Sequence, residues 1–316
     1  MPINNAELNF FDYIAKNSEL NSSKPLEQTT IQDIRKIFSS PLLLNLCGDY
    51  ADVSRSYKYI KARDGYNIPI RIFNDNLTET LPALIMYPGT GYVVDAFEIN
   101  AIAFSRIAKA SGIKVIVPEY RLAPENSMPI PIYDSYDAAR YIITHSTEFN
   151  IDPERVFIGG SSSGAHAATV VANLVSKNSA FKIFHQILYN GIYDATMSCR
   201  DYDGYTQEDK WCTKESLSFM IANWGVKPNE YINPMISPFY SEDLSGLPNS
   251  TIIIGEYDGV RNDSEAYFLK LKQADNKCQK IVLQGQAHTT MFYRKIISDS
   301  IDPADIIAQV IKEEGS

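Results

Sequence analysis

From about residue 55 onward, short apolar runs alternate with longer stretches in which apolar residues recur every three or four positions. The short runs, bounded by turn residues, read as strands, and the 3.6-residue recurrence reads as helix. "SYKYIKA" and "NIPIRIF" flank "RDGY", whose Asp-Gly marks a hairpin turn. "PALIMYP", "IKVIVPEY", "RVFIGG", "FHQILYN", "STIIIGEY" and "KIVLQGQ" supply further strands. "INAIAFSRIAKASG", stopped by Gly112, and "YDSYDAARYIITHS", "SGAHAATVVANLVSK", "RNDSEAYFLKLKQAD" and "DPADIIAQVIKEE" read as helices. Strands alternating with helices predict βαβ units, hence an α/β fold with a mostly parallel sheet and helices on both faces. Sites in such sheets form beyond the carboxyl ends of the strands.

Two segments break the alternation. Residues 1–50 are mainly helical with mixed polarity, and residues 195–240 are rich in aromatics and turns. Long insertions in compact domains are often functional, so both read as lid material over an α/β domain spanning 51–316.

Composition narrows the partners. The chain has 316 residues, 45% hydrophobic and 21% charged, which is ordinary for a globular protein. A net charge of −9 argues against nucleic acid or an anionic membrane surface as the main partner. Cys47, Cys199, Cys212 and Cys278 show no CxxC spacing, so reduced thiols are expected, with no zinc site and no disulfide framework. The first twenty residues lack the basic and apolar regions of a secretory signal, and no run of 18 apolar residues exists. A cytoplasmic protein without a membrane span is expected, and a homo-oligomer is compatible with all of this.

Candidate chemistry centres on "FIGGSSSGAHAA". The pattern G-x-S-x-G is met by residues 160–164, with Ser162 at its centre, between a predicted strand and a predicted helix. That context suits a nucleophile on a sharp turn, its flanking positions kept small, with helix N-terminal N–H groups aimed at developing negative charge. A serine needs a base. In the order nucleophile, acid, histidine, only His288 qualifies, because His145, His166 and His185 have no acid candidate before them and read as structural. The acid should follow the preceding strand, where "TIIIGEYDGVRND" offers Glu256, Asp258 and Asp263. Asp258, in a turn with Gly259, is favoured; Asp263 reads as helix-start decoration.

Several separate motifs carry a resemblance. "YRLAPE" (120–125), the stretch "SPFYSEDLSGLPNSTIIIGEYDGVRND" and "ILYNGIYD" occur here in the order found in hormone-sensitive-lipase-like esterases. Over about residues 55–315 the chain resembles an α/β-hydrolase of that carboxylesterase and acetyl esterase family. The resemblance implies a catalytic domain over 51–316, Asp258 at the acid position, no cofactor or metal, and a small-molecule carboxylic ester with a short acyl chain as substrate. The family's HGGG motif aligns with Pro88-Gly89-Thr90-Gly91, which implies the N–H groups of Thr90, Gly91 and Ser163 as the oxyanion hole. Thr resists positive φ, so this loop is expected to differ in shape. Arg121 and Glu125 are expected to hold their loop as an ion pair, and Trp211 and Trp224 to belong to the lid core. The family also includes receptors that have lost the histidine, so a non-catalytic small-ligand receptor is the alternative; within enzymes, an amidase or thioesterase would use the same residues.

Overall fold

The computed structural model describes residues 2–21, 28–75, 78–178, 181–199 and 208–315. Positions 22–27 and 200–207 of the two expected lid segments lie outside the described residues. Eight strands form one sheet: β1 (Arg55–Lys61), β2 (Asn67–Phe73), β3 (Leu81–Tyr87), β4 (Lys114–Pro118), β5 (Ile151–Ser161), β6 (His185–Tyr189), β7 (Asn249–Gly255) and β8 (Cys278–Leu283). Their order is β1-β2-β4-β3-β5-β6-β7-β8. The expected hairpin is β1–β2, and β2 also runs antiparallel to β4; every other neighbour is parallel. β4 and β6 are buried at every position, as strands covered on both faces must be, which is why they read as unbroken apolar runs.

The strand order dictates where the helices go. The chain moves one way from β3 to β4 through α4 (Phe97–Ser111) and the other way from β4 to β5 through α5 (Ile130–Thr144) and α6 (Ser146–Phe149). It continues that second way through α7 (Ser163–Asn178) to β6 and through α9 (Arg261–Gln273) from β7 to β8. Right-handed crossovers in opposite directions put their helices on opposite faces. α4 accordingly packs with the C-terminal α10 (Pro303–Gly315), and α7 packs on β3, β5 and β6 beside α5. The reversal falls between β3 and β5, which makes a crevice at their carboxyl ends.

Three helices precede the sheet: α1 (Asn5–Lys16), α2 (Ile31–Phe38) and α3 (Pro41–Cys47). Their starts are written in the sequence as side-chain caps from Asn4, Thr30 and Ser40. The α8 helix (Lys214–Ala222) follows β6, capped by Thr213. Of these, α1, α2 and α8 contribute residues to the cavity at the crevice and form its roof.

One expected ion pair is not formed. Arg121 is bound in a fork by the buried Asp134 of α5 at 2.7 and 2.9 Å, and reaches Asp64 at 2.8 Å. Glu125 instead takes a bidentate pair from Arg35 of α2 at 2.6 and 2.7 Å. Arg35 also donates to the carbonyls of Val93 and Ala123, so this contact ties the roof to the crevice wall.

Candidate active site

Ser162 sits between β5 and α7 with φ +54°, the left-handed region a serine rarely adopts. Such a conformation costs on the order of 1–3 kcal/mol and persists only where the surroundings over-determine it. Here the Ser162 N–H donates to the Tyr189 carbonyl at the end of β6 (2.9 Å), and α7 begins at the next residue. Gly164 lets the turn close: a Cβ there would lie 2.0 Å from the Tyr87 carbonyl oxygen.

His288 follows β8 and Asp258 follows β7. The two meet at 2.9 Å, His288 Nδ1 to Asp258 Oδ1. Asp258 is fully buried, and its Oδ1 also accepts the Val260 N–H at 2.8 Å. The rival acids face elsewhere. Glu256 accepts from the Gly285 N–H (2.8 Å). Asp263 sits in the first turn of α9 as expected, but it is 1% exposed and accepts the N–H groups of Tyr193 and Asp194. Burial penalises an imidazolium, but the Asp258 carboxylate outweighs it and holds His288 above its ordinary 6.5. Cys212 lies beside the pair, its sulfur within 4.8 Å of the ligand atoms of both, and burial pushes its thiol up to about 11, so it stays neutral.

The loop after β3 carries Thr90 and Gly91, two of the expected oxyanion donors. The Thr90 N–H donates to Ser163 Oγ at 2.9 Å. Thr90 Oγ1 accepts the Tyr92 N–H (3.0 Å) and donates to Tyr120 Oη (2.8 Å), whose own proton goes to the Pro88 carbonyl. Thr90 therefore braces the loop, and the positive φ angles fall on Gly91 (+56°), where glycine carries no penalty, and on Tyr92 (+64°). Asn100 of α4 binds both Gly89 N–H and Gly89 C=O, at 2.8 and 3.0 Å. Trp224 donates from Nε1 to the Gly91 carbonyl at 2.8 Å. Tyr92 Oη contacts His166 Nδ1 at 2.6 Å, and His166 Nε2 faces the Ile236 carbonyl at 3.0 Å. Only the Nε2–H tautomer satisfies both, and burial lowers His166 to about 4, so the ring is neutral. His166 is structural as expected, and what it holds is this loop.

Ser162, His288, Thr90 and Gly91 line one cavity of about 420 Å³. Its walls are mostly apolar: Ile14, Ile34 and Phe38 from the helices before the sheet, and Trp211, Met220 and Trp224 from the segment after β6. Trp211 is a cavity wall as well as lid core, since it also packs edge-on against Phe38 at 5.6 Å between centroids. Among the described residues, no helix is long and apolar enough to cross a membrane.

Two buried carboxylates escape sequence reasoning. Glu7 of α1 is fully buried and accepts from Thr290 Oγ1 and, at 3.4 Å, from the Ala287 N–H, flanking His288 on both sides. Burial pushes it up to about 7. Asp209 accepts the His288 N–H at 3.0 Å. Glu7 left a signal: with Ala6, Phe10 and Phe11 it lies on the buried stripe of an amphipathic helix. Asp209, in "QEDKW", left none.

A family model described as alpha/beta hydrolase fold matches residues 84–292, about two thirds of the chain. The chain belongs to the α/β-hydrolase family. Its motifs place it on the hormone-sensitive-lipase-like branch. This hydrolase is 26% identical over 264 residues to an ethyl acetate hydrolase of Pseudomonas putida, covering 80% of this chain and 81% of that one. It is 27% identical over 209 residues to a carboxylesterase of Mycobacterium tuberculosis, 64% of each chain. Its fold superposes on the hyperthermophilic esterase of Pyrobaculum calidifontis with a TM-score of 0.87 at 25% identity, over 100% of this chain and 99% of the other.

Proposed function

We propose that Ser162, His288 and Asp258 are the triad through which this chain, a carboxylic ester hydrolase, cleaves small apolar esters. One observation carries the reading: a serine in strained backbone opens onto the same cavity as a histidine whose far nitrogen is held by a buried carboxylate. Ser162 Oγ attacks the ester carbonyl carbon as His288 Nε2 takes its proton; the Nδ1–H remains on Asp258, which stabilises the imidazolium. Negative charge develops on the carbonyl oxygen, where the N–H groups of Gly91 and Ser163 serve as donors while Thr90 and Trp224 hold the loop in place. His288 returns the proton to the leaving alcohol, and water then releases the acid from the acyl-serine by the same route.

Substrate size follows from the walls. A small, mostly apolar cavity roofed by helices favours short acyl groups and uncharged alcohols, in keeping with the ethyl acetate hydrolase relative. The test is a p-nitrophenyl ester series from two to twelve carbons on wild type and Ser162→Ala. Each methylene should gain about 0.8 kcal/mol while it fits, with kcat/KM falling beyond about six carbons. Ser162→Ala should lose on the order of 10⁶ in kcat with the fold intact. Retention of more than about a hundredth of the activity, or a steady rise to twelve carbons, contradicts the proposal.

A further inference from the structure

The loop carrying His288 is gripped by a carboxylate that the proposed chemistry does not use. Asp209 is 1% exposed and lies in the segment after β6. Its Oδ1 accepts the N–H groups of Trp211 (2.9 Å) and Cys212 (2.8 Å). Its Oδ2 accepts those of His288 (3.0 Å) and Gly259 (3.4 Å). One carboxylate thus joins the roof, the turn after Asp258 and the loop of His288. The fit leaves no slack, because a Cβ on Gly259 would lie 1.8 Å from the Cys212 carbonyl oxygen.

We propose that Asp209 is a positioning residue that sets the spacing of Asp258 and His288 and makes it depend on the roof being seated. This rests on the triad reading above. His288 has two anchors, its ring on Asp258 and its backbone N–H on Asp209. Asp258 is anchored by Val260 N–H within the same turn that Asp209 holds at Gly259. Both ends of the 2.9 Å contact therefore share one frame. Backbone N–H bonds to a carboxylate are about twice as strong as neutral ones. An asparagine keeps one acceptor oxygen and turns an NH₂ toward two N–H groups, so the frame opens with little change in volume. Misplacement of a reacting group by about 1 Å costs on the order of 100-fold.

The experiment compares Asp209→Asn and Asp209→Ala with wild type on p-nitrophenyl acetate, each normalised to folded sites by circular dichroism. For Asp209→Asn, kcat should fall about 10–100-fold with KM within about threefold. The acid limb of kcat/KM should move down toward the ordinary histidine value, because a loosened Asp258 no longer supports the imidazolium. Asp209→Ala should fall further in kcat. A lower melting temperature with unchanged kcat and an unmoved limb would make Asp209 merely structural and overturn the proposal. Phosphonylation by a p-nitrophenyl phosphonate separates this from failure of the triad. If wild type is not labelled at Ser162, the triad reading falls. If wild type and both variants are labelled at equal rates, the triad stands and the Asp209 proposal falls. Should neither variant fold, ¹⁵N-histidine NMR of the wild type decides: the His288 amide proton should lie downfield and exchange slowly, and a fast-exchanging amide overturns the contact.

Discussion

Replacing Glu7 by glutamine should change how stability responds to pH. Glu7 is fully buried between α1 and the His288 loop, and burial raises its carboxyl from 4.5 to about 7. Between those values the folded chain holds a proton that the unfolded chain has released, so stability falls as pH rises through this window and levels off above it. At 1.36 kcal/mol per pH unit, the loss is on the order of 3 kcal/mol. Glutamine cannot ionise and escapes it. Its carbonyl can still accept from Thr290 Oγ1 and the Ala287 N–H, but its NH₂ replaces Oε2, which has no hydrogen-bond partner. That orphaned donor costs about 1–3 kcal/mol, the same at every pH. The signal is therefore the slope and not the offset. Urea unfolding of wild type and Glu7→Gln at pH 5, 6, 7 and 8 should show the variant gaining on wild type by about 2–3 kcal/mol from the lowest to the highest pH. Parallel stability curves, or a variant that loses ground as pH rises, would refute a buried, late-ionising Glu7.

Other outcomes are expected at the site itself. The kcat/KM profile should rise with pH on a limb above 6.5, higher than an unperturbed histidine gives, because Asp258 favours the charged ring that cannot act as base; a limb below 6.5 in a folded protein contradicts the pair geometry. Ser163→Ala keeps the backbone N–H and removes the hydroxyl that accepts the Thr90 N–H and contacts Tyr120 Oη, so kcat should stay within about threefold of wild type or rise; a loss beyond about tenfold would assign chemistry to the hydroxyl. Trp224→Phe loses the bond to the Gly91 carbonyl and should lower kcat about tenfold at similar KM, measured with p-nitrophenyl acetate; an unchanged kcat would mean the loop holds its shape without the indole.

Much of this was legible because the relevant signals are local. The parallel strands announce themselves as unbroken apolar runs, since both their faces are covered. Ser162 is announced by small residues on both sides, which the tight turn demands. Asp258 was favoured from its turn with Gly259; in the structure it contacts His288, while Glu256 and Asp263 accept from other backbone groups. What was not legible depended on distant contacts. Arg121 and Glu125 are four apart in sequence, but four apart pairs residues on a helix, and here the chain between them forms no helix. The Thr90 N–H was assigned from alignment with glycine, which cannot reveal that a serine at 163 adds an acceptor beside it. Asp209 looks like any charge in a polar stretch; only the folded chain shows it buried under four N–H groups.

The placement of α1 has a consequence for the order in which the molecule can be made. Phe10 stacks on Tyr293 at 4.6 Å between centroids and packs against Trp211 at 5.7 Å, while Glu7 meets Thr290 across 283 positions of chain. α1 is thus made long before the residues it packs on. Every strand has been synthesised by Leu283, before Thr290 and Tyr293 exist, so the sheet can assemble while α1 is still undocked. Closing a loop of that length delays the contact more than it weakens it. Nascent chains stalled short of residue 290 should carry a folded sheet and no esterase activity, which appears only once Thr290 and Tyr293 have been made and α1 has docked on them.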